Sequence, residues 1–435
     1  MNVLVIGSGG REQALVWKIK QSPRIGRIYC APGNAGIAGL AECIPIPPTD
    51  LQGLLRFAME REVELTIVGP EQPLSEGIVD LFEQHKLKIF GPTQKAAQLE
   101  WSKAYAKAFM QRHGIPTARY RAFSSGEREQ ASHYLRSASY PVVLKEDGLA
   151  AGKGVAICSD LASGLTSLDQ MMRDGGRWAG PVLIEEYMTG EEASVFAISD
   201  GIHFVTLAAA QDHKRVFDGD QGKNTGGMGA YAPAPVVTPE VMETVKHSII
   251  EPTLAAMEAE GRSYKGCLYV GLMMTPEGPK VVEYNSRFGD PETQVVLPLY
   301  DVDILELMEA ACEGSIASIS PVPLIPQGSA VCVVLASGGY PDLYETGKTI
   351  RGLENLSGLD GVVAFHAGTK SDGGSVVTSG GRVLGLTAMR ESGDLEQTIK
   401  KAYDGVRRIS FEGMHFRKDI GAKALARYPT LSHER

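Results

Sequence analysis

Three polar side chains occupy alternate positions at the end of a strand-like segment, KVVEYNSRFGDPETQ, at residues 280–294. Glu283, Asn285 and Arg287 would point to the same side of an extended chain. Because a row of such groups is costly to bury without partners, we expect it to face a ligand. The carboxylate and amide oxygens suit Mg²⁺, which completes its shell with water and phosphate oxygens. The guanidinium would lie over charge that develops during phosphoryl or acyl transfer. The alternative is a salt bridge between Arg287 and Glu283 at a sheet edge.

A glycine-rich loop, GLAAGKG at residues 148–154, separates two strand-like segments. It is not a P-loop, because three residues separate its first Gly from GK where a P-loop has four. In addition, no Ser or Thr follows GK, and the chain continues into a strand. A glycine loop between antiparallel strands can instead fold over a triphosphate like a lid, with Lys145 reaching the phosphates. A solvated glycine hairpin is the alternative interpretation.

Acidic pairs flank a short turn in IEEYMTGEE, at residues 184–192. Such charges usually form a solvated face. Beneath a glycine lid, however, this strand end would hold adenine through backbone groups, and Glu192 would accept hydrogen bonds from the ribose hydroxyls. The segments QDHKR (211–215) and GKNTGGMG (222–229) add cations, an amide and backbone freedom. His213 by itself is better explained as a structural residue than as a catalytic base.

Three glycine-containing loops follow strand-like segments near the N-terminus: GSGGRE (7–12), PGNAG (32–36) and GPEQPL (69–74). The first precedes a helical pattern, so its backbone N–H groups could approach a phosphate. The dinucleotide fingerprint is incomplete because Glu12 occupies the third glycine position. Arg11 would suit a phosphate, although a plain tight turn is the alternative. Since ligands bind at the carboxyl ends of parallel strands, the three loops together predict a small phosphorylated ligand.

The overall composition excludes several classes of protein. The chain has 435 residues, of which 43% are hydrophobic and 22% charged, and its net charge is -9. This charge argues against a general nucleic-acid or anionic-membrane partner. The six cysteines form no CxxC pair, which favours free thiols in a reducing compartment. Without a signal-like leader or an apolar run of ~18 residues, the protein is expected to be cytoplasmic.

These candidate residues require at least three structural units to position them. Strands alternate with helices over residues 1–95, which indicates a parallel sheet of the dinucleotide-binding type. Residues 140–295 predict an antiparallel α+β region. The proline-rich PVPLIP near residue 321 predicts a linker, and the strand-rich remainder, which ends in a helix, predicts a separate C-terminal domain.

Taken in order, the glycine lid, the EEYM hinge and the Glu-x-Asn-x-Arg strand resemble the ATP-grasp superfamily. The fuller strings GLAAGKG, GEEAS, QDHKR, NTGGMGAY and RFGDPETQ resemble its phosphoribosylamine–glycine ligase family. The resemblance extends from GGRE, PGNAG and GPE to FRKDIG near the C-terminus.

The resemblance implies an α/β and α+β multidomain fold with an N-terminal parallel-sheet (pre-ATP-grasp) domain, a two-lobed ATP-grasp core and a small C-terminal α/β domain. The implied ranges are 1–102 for the N-terminal domain, 103–122 with 188–322 for the core lobe, 123–187 for the lid lobe, and 323–435 for the C-terminal domain.

The resemblance also implies a reaction. ATP would phosphorylate glycine, and the amine of 5-phosphoribosylamine would attack the glycyl phosphate, giving glycinamide ribonucleotide, ADP and phosphate. This is the second step of de novo purine biosynthesis. The implied cofactor is Mg²⁺ or Mn²⁺, and the implied assembly is a monomer that binds neither nucleic acid nor membrane.

Individual roles follow from the matching motifs. The resemblance assigns ATP binding to Lys103, Lys145, Gly152, Lys153, Gly154, Glu185, Glu186, Tyr187, Met188, Glu192, Arg215 and Asn224. It assigns metal binding to Glu283 and Asn285, and catalysis to Arg287, Asp290 and Arg215. It assigns the other substrates to Gly9, Gly10, Arg11, Asn34, Glu71 and Asp212. The chain departs from the family pattern at Gln13, Trp101, Glu146 and Lys223. Of these, Glu146 would repel a triphosphate unless it points away, as its strand parity opposite to Lys145 predicts.

Three alternatives remain open at this point. A nucleotide-dependent oxidoreductase would explain the N-terminal sheet but not residues 140–295. A non-catalytic ATP-binding protein would not require the row at Glu283. A related ligase acting on another carboxylate would share most of the same motifs.

Overall fold

The computed structural model describes residues 1–149, 154–172, 180–319, 324, 326–390 and 394–427. Gly152 and Lys153 of the glycine loop lie outside the described residues. Within these ranges, no helix is both long and apolar enough to cross a membrane.

The N-terminal part contains a five-stranded parallel sheet in the order β3-β2-β1-β4-β5. Its elements are β1 (Asn2–Gly7), α1 (Gly10–Ile19), β2 (Arg27–Pro32), β3 (Glu42–Cys43), α2 (Leu51–Glu60), β4 (Leu65–Val68), α3 (Glu71–Ser75), α4 (Ile78–Gln84) and β5 (Ile89–Phe90). Val3 to Ile6 of the central strand are fully buried, as expected when both faces of a parallel sheet are covered. The predicted parallel sheet is confirmed.

A second sheet, with the order β6-β9-β7-β8, follows and is antiparallel throughout. This part contains α5 (Gln98–Trp101), α6 (Lys103–Arg112), β6 (Tyr120–Phe123), α7 (Arg128–Ser137), β7 (Val142–Glu146), β8 (Val155–Cys158), α8 (Leu161–Met171) and β9 (Val182–Glu186). The glycine loop connects β7 to β8, so the predicted loop between antiparallel strands is confirmed.

The central part forms a four-stranded antiparallel sheet in the order β11-β10-β16-β17. Its segment contains β10 (Glu191–Asp200), β11 (Phe204–Thr206), β12 (Gln211–Asp212), β13 (Arg215–Phe217), β14 (Gln221–Asn224), β15 (Gly229–Ala232), α9 (Pro239–Val245), α10 (Glu251–Ala259), β16 (Lys265–Thr275), β17 (Gly278–Asn285), α11 (Thr293–Val296), α12 (Ile304–Glu313) and α13 (Ile316–Ile319). A single π-helical turn at Lys246–Ile250 joins α9 to α10.

The polar row of the opening segment lies at the end of the β16–β17 hairpin. The pairing changes register between Gly271, which faces Glu283, and Leu272, which faces Val281. Such a bulge re-aims the side chains that follow it. Since β17 ends at Asn285, Arg287 lies beyond the strand, and strand alternation alone does not determine its direction.

The C-terminal part contains β18 (Ser329–Ala336), β19 (Val362–His366), β20 (Thr369–Asp372), β21 (Ser375–Thr378), β22 (Arg382–Arg390), α14 (Leu395–Val406) and α15 (Ala422–Arg427). Its antiparallel sheet has the order β12-β15-β18-β22-β19. Two of the five strands, β12 and β15, therefore come from the central segment. The boundary at residue 323 stays a prediction, but the sheet on its C-terminal side is completed by strands that precede it.

Candidate active site

A cavity of about 480 Å³ lies where the N-terminal, lid, central and C-terminal sheets meet. Many sequence-predicted site residues line it: Arg11, Glu71, Lys103, Lys145, Gly154, Glu185, Asp212, Glu283, Asn285, Arg287 and Asp290. Others that the structure describes do not line it: Gly9, Gly10, Asn34, Glu186, Tyr187, Met188, Glu192, Arg215 and Asn224.

One end of the cavity carries lysines around the base of the glycine loop. Lys103 donates a hydrogen bond to the Gly148 carbonyl at 2.7 Å. Lys145 donates to the Val282 carbonyl at 3.3 Å, which joins lid strand β7 to β17. Burial lowers the pKa of Lys103, although Glu283 and Asp147 oppose this shift. Two ammonium groups near Gly148, at the start of the glycine loop, suit the phosphates of a nucleotide. Glu146 does not line the cavity, in agreement with its strand parity.

Glu283 and Asn285 both face this end of the cavity. The nearest charged partner of Glu283 is Lys214, at 3.8 Å between Nζ and Oε1. Burial tends to raise the pKa of Glu283, but the positive charges of Lys214, Lys145 and Lys103 outweigh it and lower that pKa. An ionised carboxylate beside an amide oxygen fits a divalent cation whose other ligands are phosphate oxygens and water. The described residues contain no group of three or more His, Cys, Asp or Glu side chains arranged to hold a metal alone.

The guanidinium of Arg287 is held by two carboxylates. Its Nη2 lies 3.0 Å from Oε1 of Glu100, and its Nε lies 3.2 Å from Oε2 of Glu71. Nη2 also donates to the Asn285 side-chain oxygen at 3.2 Å. The alternative of a salt bridge to Glu283 is therefore wrong: Arg287 lies beyond the end of β17 and turns toward the N-terminal part.

The two carboxylates on Arg287 respond differently to burial. Burial raises the pKa of Glu100 to about 7 despite the attraction of Arg287. At Glu71 burial acts in the same direction, but Arg287 and Arg11 prevail and lower the pKa to about 2. At neutral pH this cluster thus contains one carboxylate that is firmly ionised and one that is close to its titration point.

The predicted adenine hinge begins with a buried ionic cluster. Glu185 is 3% exposed, and its Oε2 lies 3.0 Å from Nζ of Lys107 and 3.1 Å from Nζ of Lys145. Its other oxygen, Oε1, is buried without a hydrogen-bond partner. Burial lowers the pKa of Lys107 to about 8. The next residue, Glu186, instead pairs with the exposed Arg119 at 2.7 Å. The two adjacent glutamates therefore lie in opposite environments.

The N-terminal glycine turn is built around Glu12, not around an open phosphate site. The Glu12 carboxylate is buried, accepts the Gly9 N–H at 2.6 Å, and contacts the Arg11 guanidinium at 2.6 Å. A Cβ atom at Gly69 would lie 2.1 Å from Oε1 of Glu12, and one at Gly7 would lie 2.4 Å from its Cγ. These glycines make room for a carboxylate. That use of the glycines argues against a dinucleotide-dependent oxidoreductase.

Asn34 lies at the junction of the N- and C-terminal parts. Its Nδ2 donates to the carbonyls of Ser8 and His366, both at 2.8 Å, and its Oδ1 accepts the Gly36 and Ile37 N–H groups. Its polar atoms are thus used within the protein. The neighbouring departure from the family pattern, Gln13, joins the same junction, because its Oε1 accepts the His366 N–H at 2.6 Å.

The QDHKR segment places alternate residues on opposite sides. Asp212 and Lys214 line the cavity, whereas His213 is 1% exposed and neither of its ring nitrogens has a partner. Burial lowers the pKa of His213 to about 3, in line with a structural role. Arg215 pairs with Asn224 across the β13–β14 hairpin and donates to the Gly222 carbonyl.

Sequence reasoning missed several cavity residues: Glu100, Lys107, Lys214, Glu292, Tyr340 and Arg382. A usable signal existed for Lys214, since two-residue alternation from Asp212 predicts a common face. Lys214 bonds Glu192, the predicted ribose ligand, at 2.5 Å. Burial, together with Glu292 and Glu192, raises the pKa of Asp212 to about 7, although Lys214 acts against it. No local pattern marks Tyr340 or Arg382, because they reach the cavity from the turn after β18 and from the start of β22.

Comparison with known proteins covers the chain almost completely. Three family descriptions match in order: the phosphoribosylglycinamide synthetase N domain at residues 1–100, its ATP-grasp (A) domain at 101–293 and its C domain at 330–423. A phosphoribosylamine–glycine ligase of Chlorobaculum tepidum is 48% identical over 432 residues, covering 98% of this chain and 100% of the relative. One from Caldanaerobacter subterraneus is 47% identical over 426 residues, covering 97% of this chain and 100% of the relative.

Solved structures agree with this result. The crystal structure of phosphoribosylamine–glycine ligase from Thermotoga maritima is 33% identical, with a TM-score of 0.82 over 97% of this chain and 100% of that one. A biotin carboxylase domain of Hydrogenobacter thermophilus 2-oxoglutarate carboxylase reaches a TM-score of 0.71 at 18% identity, covering 95% of this chain and 91% of that one. The second similarity concerns the fold alone. The predicted fold class is confirmed, and the chain belongs to the phosphoribosylglycinamide synthetase family.

Proposed function

We propose that this chain is an ATP-dependent carboxylate–amine ligase that joins glycine to 5-phosphoribosylamine, giving glycinamide ribonucleotide, ADP and phosphate. This reaction is the second step of de novo purine biosynthesis. The principal supporting observation is one cavity in which Lys103 and Lys145, Glu283 with Asn285, and Arg287 converge. Membership of the family, whose descriptions match residues 1–100, 101–293 and 330–423, supports the same assignment.

The reaction divides into two displacements. A glycine carboxylate oxygen attacks the γ-phosphorus of ATP, the bond from that phosphorus to the bridging oxygen breaks, and ADP leaves. The amine nitrogen of phosphoribosylamine then attacks the carbonyl carbon, and the carbon–oxygen bond to phosphate breaks. The proton lost by the nitrogen leaves with phosphate or solvent. Neither step requires a protein nucleophile, so the protein contributes positioning and charge stabilisation.

The described side chains supply positive charge where the reacting phosphates would lie. Lys103 and Lys145 would neutralise the nucleotide phosphates. Arg287 would stabilise the negative charge on the transferred phosphoryl group, and its two carboxylate partners keep the guanidinium oriented. Glu283 and Asn285 would hold a divalent cation, which we propose to be Mg²⁺ or Mn²⁺. When bound, that cation supplies charge neutralisation at the phosphates.

The test is an ADP-release assay in which ATP, glycine, phosphoribosylamine and divalent metal are omitted one at a time. We expect full turnover only when all four are present. ADP release that does not depend on glycine would contradict the assignment of glycine. A related ligase is distinguished by replacing glycine with alanine or β-alanine, and equal turnover with either would favour that alternative. Absence of ADP release under every condition would favour a non-catalytic nucleotide-binding protein.

We further propose that the protein acts as a monomer in the cytoplasm. The negative net charge argues against nucleic-acid and membrane partners. The absence of CxxC pairs in the sequence supports a reducing compartment. Light scattering coupled to size-exclusion chromatography tests the monomer, and a mass near twice that of one chain would contradict it.

A further inference from the structure

The C-terminal sheet contributes a charged side chain to the cavity. Arg382, the first residue of β22, lines it together with Tyr340, which follows β18. The β18–β22 pairing changes register between Leu335 and Ala336, and Ala336 faces Arg382. This irregularity lies directly beside the point where the arginine leaves the sheet. A bulge at the end of a strand is a common means of directing a side chain toward a site.

Arg382 contacts two separate segments of the central part. Its Nη2 lies 3.0 Å from Oδ2 of Asp290, and its Nη1 donates to the Asp290 carbonyl at 2.7 Å. Nη1 also donates to the Gly226 carbonyl at 2.6 Å. The side chains of Arg382 and Asp290 are 21% and 15% exposed. This planar set of donors joins the turn at residues 225–227 to the RFGDPETQ segment.

A second C-terminal side chain supports the same turn. The hydroxyl of Tyr340 accepts a hydrogen bond from the Gly226 N–H at 3.1 Å. A Cβ atom at Gly226 would lie 3.1 Å from Cζ of Arg382, so a side chain there would require the guanidinium to shift by a few tenths of an ångström. The backbone of Gly226 is therefore held on its N–H side by the phenol and on its carbonyl side by the guanidinium.

Asp290 stands between the C-terminal sheet and the N-terminal glycine turn. Its Oδ1 accepts a hydrogen bond from Gln294 at 2.7 Å. Cβ atoms at Gly9 and Gly10 would lie 3.5 and 3.8 Å from its carboxylate oxygens. Burial opposes ionisation of Asp290, but Arg382 is the main positive charge that lowers its pKa. The pair therefore lies next to the N-terminal glycine turn, and Arg11 of that turn lines the same cavity.

We propose that Arg382 is a positioning residue of the ligase reaction: it orients Asp290 and the turn at residues 225–227 at the end of the cavity that receives glycine and phosphoribosylamine. The inference rests on the proposed function, and it makes the C-terminal sheet part of the substrate site. Arg382 acts through Asp290 and Gly226, with no direct role in bond making.

The experiment compares R382M and R382K with R408M. Arg408, an exposed arginine just after α14 whose side chain donates to the Asn355 carbonyl, serves as the matched control. We expect R382M to raise KM for glycine or phosphoribosylamine by about tenfold and to leave KM for ATP within about twofold. R382K should recover part of the loss, because an ammonium retains charge but not the planar set of donors. R408M should match the unaltered protein in all three constants.

The melting temperature and the pattern of KM values together distinguish a positioning role of Arg382 from a purely structural one. An R382M protein with unchanged constants, or with equal increases for all three substrates, would overturn the inference. If R382M does not fold, Y340F serves instead, and it should raise the same KM by about threefold because one hydrogen bond to Gly226 is lost. Unchanged KM values for Y340F would then overturn the inference. If the unaltered protein itself lacks glycine-dependent turnover, the proposed function fails, which is a different result from normal kinetics in R382M.

Discussion

Glu100 and Arg287 form a salt bridge of 3.0 Å at the edge of the cavity, although they are far apart in the sequence. The same carboxylate accepts the Ser286 backbone N–H at 2.8 Å, so Glu100 holds both the side chain of Arg287 and the chain just before it. Glu100 belongs to α5, ahead of the lid. The pair thus connects the polar segment after β17 to helix α5 at the end of the N-terminal part.

Replacing Glu100 by glutamine should change how stability depends on pH. The pKa of Glu100 is raised from 4.5 to about 7 in the folded protein. Between these values the folded state retains a proton that the unfolded state has lost, so this group's contribution to stability falls as pH rises through that window. The full effect is roughly 3 kcal/mol. As pH rises from 5 to 8, the free energy of unfolding should therefore fall less for E100Q than for the unaltered protein, as measured by urea unfolding. Parallel pH profiles for the two proteins would contradict the assignment.

The adjacent glutamates at the hinge should respond very differently to the same substitution. E185Q removes the carboxylate that faces both Lys107 and Lys145, and leaving these buried charges without it should cost about 3 kcal/mol of unfolding free energy. E186Q breaks only a surface pair with Arg119, which is 90% exposed, so its melting temperature should hardly change. Thermal and urea unfolding of both variants provide the measurement. Equal destabilisation would show that the Glu185 cluster contributes no more than the surface pair.

Substitution at Glu283 should weaken metal binding without affecting the fold. E283Q retains the shape of the side chain but removes the charge that faces the lysine end of the cavity, so Mn²⁺ binding in the presence of a non-hydrolysable ATP analogue should weaken by about tenfold. E277Q, on the turn of the same hairpin and 76% exposed, is the matched control. Mn²⁺ paramagnetic resonance measures the affinity directly, independently of turnover. Retention of full affinity in E283Q would remove this residue from the metal site.

Lys214 should affect metal and nucleotide in opposite directions. Its ammonium lies 3.8 Å from Glu283 and competes with a cation for that carboxylate. K214M should therefore strengthen binding of Mn²⁺ in the absence of nucleotide, while it raises KM for ATP because a positive charge is lost beside the phosphates. K280M, whose lysine pairs with Glu277 at the exposed hairpin turn, should change neither quantity. A decrease in both affinities would indicate that Lys214 only supports the structure of the site.

Local patterns predicted much of the fold. The parallel N-terminal sheet, the glycine loop between β7 and β8, and the antiparallel strands within residues 140–295 follow from periodicity and glycine placement, which act within a few residues. The alternation in EYN brought Glu283 and Asn285 to one cavity, as predicted. Arg287 lines the same cavity, but alternation does not predict its partners Glu71 and Glu100, because they lie in another part of the chain.

The sequence by itself determined which groups are available: a glycine loop, two lysines for phosphates, an oxygen pair for a metal and an arginine beyond it. Only the tertiary structure decided how these groups are paired. It directed Asn34 toward His366, enclosed Glu12 among glycines, and brought Arg382 from β22 onto Asp290. The physical reason is that a buried charge takes as its partner whichever opposite charge the packed chain brings within a few ångströms, and sequence separation does not limit that choice.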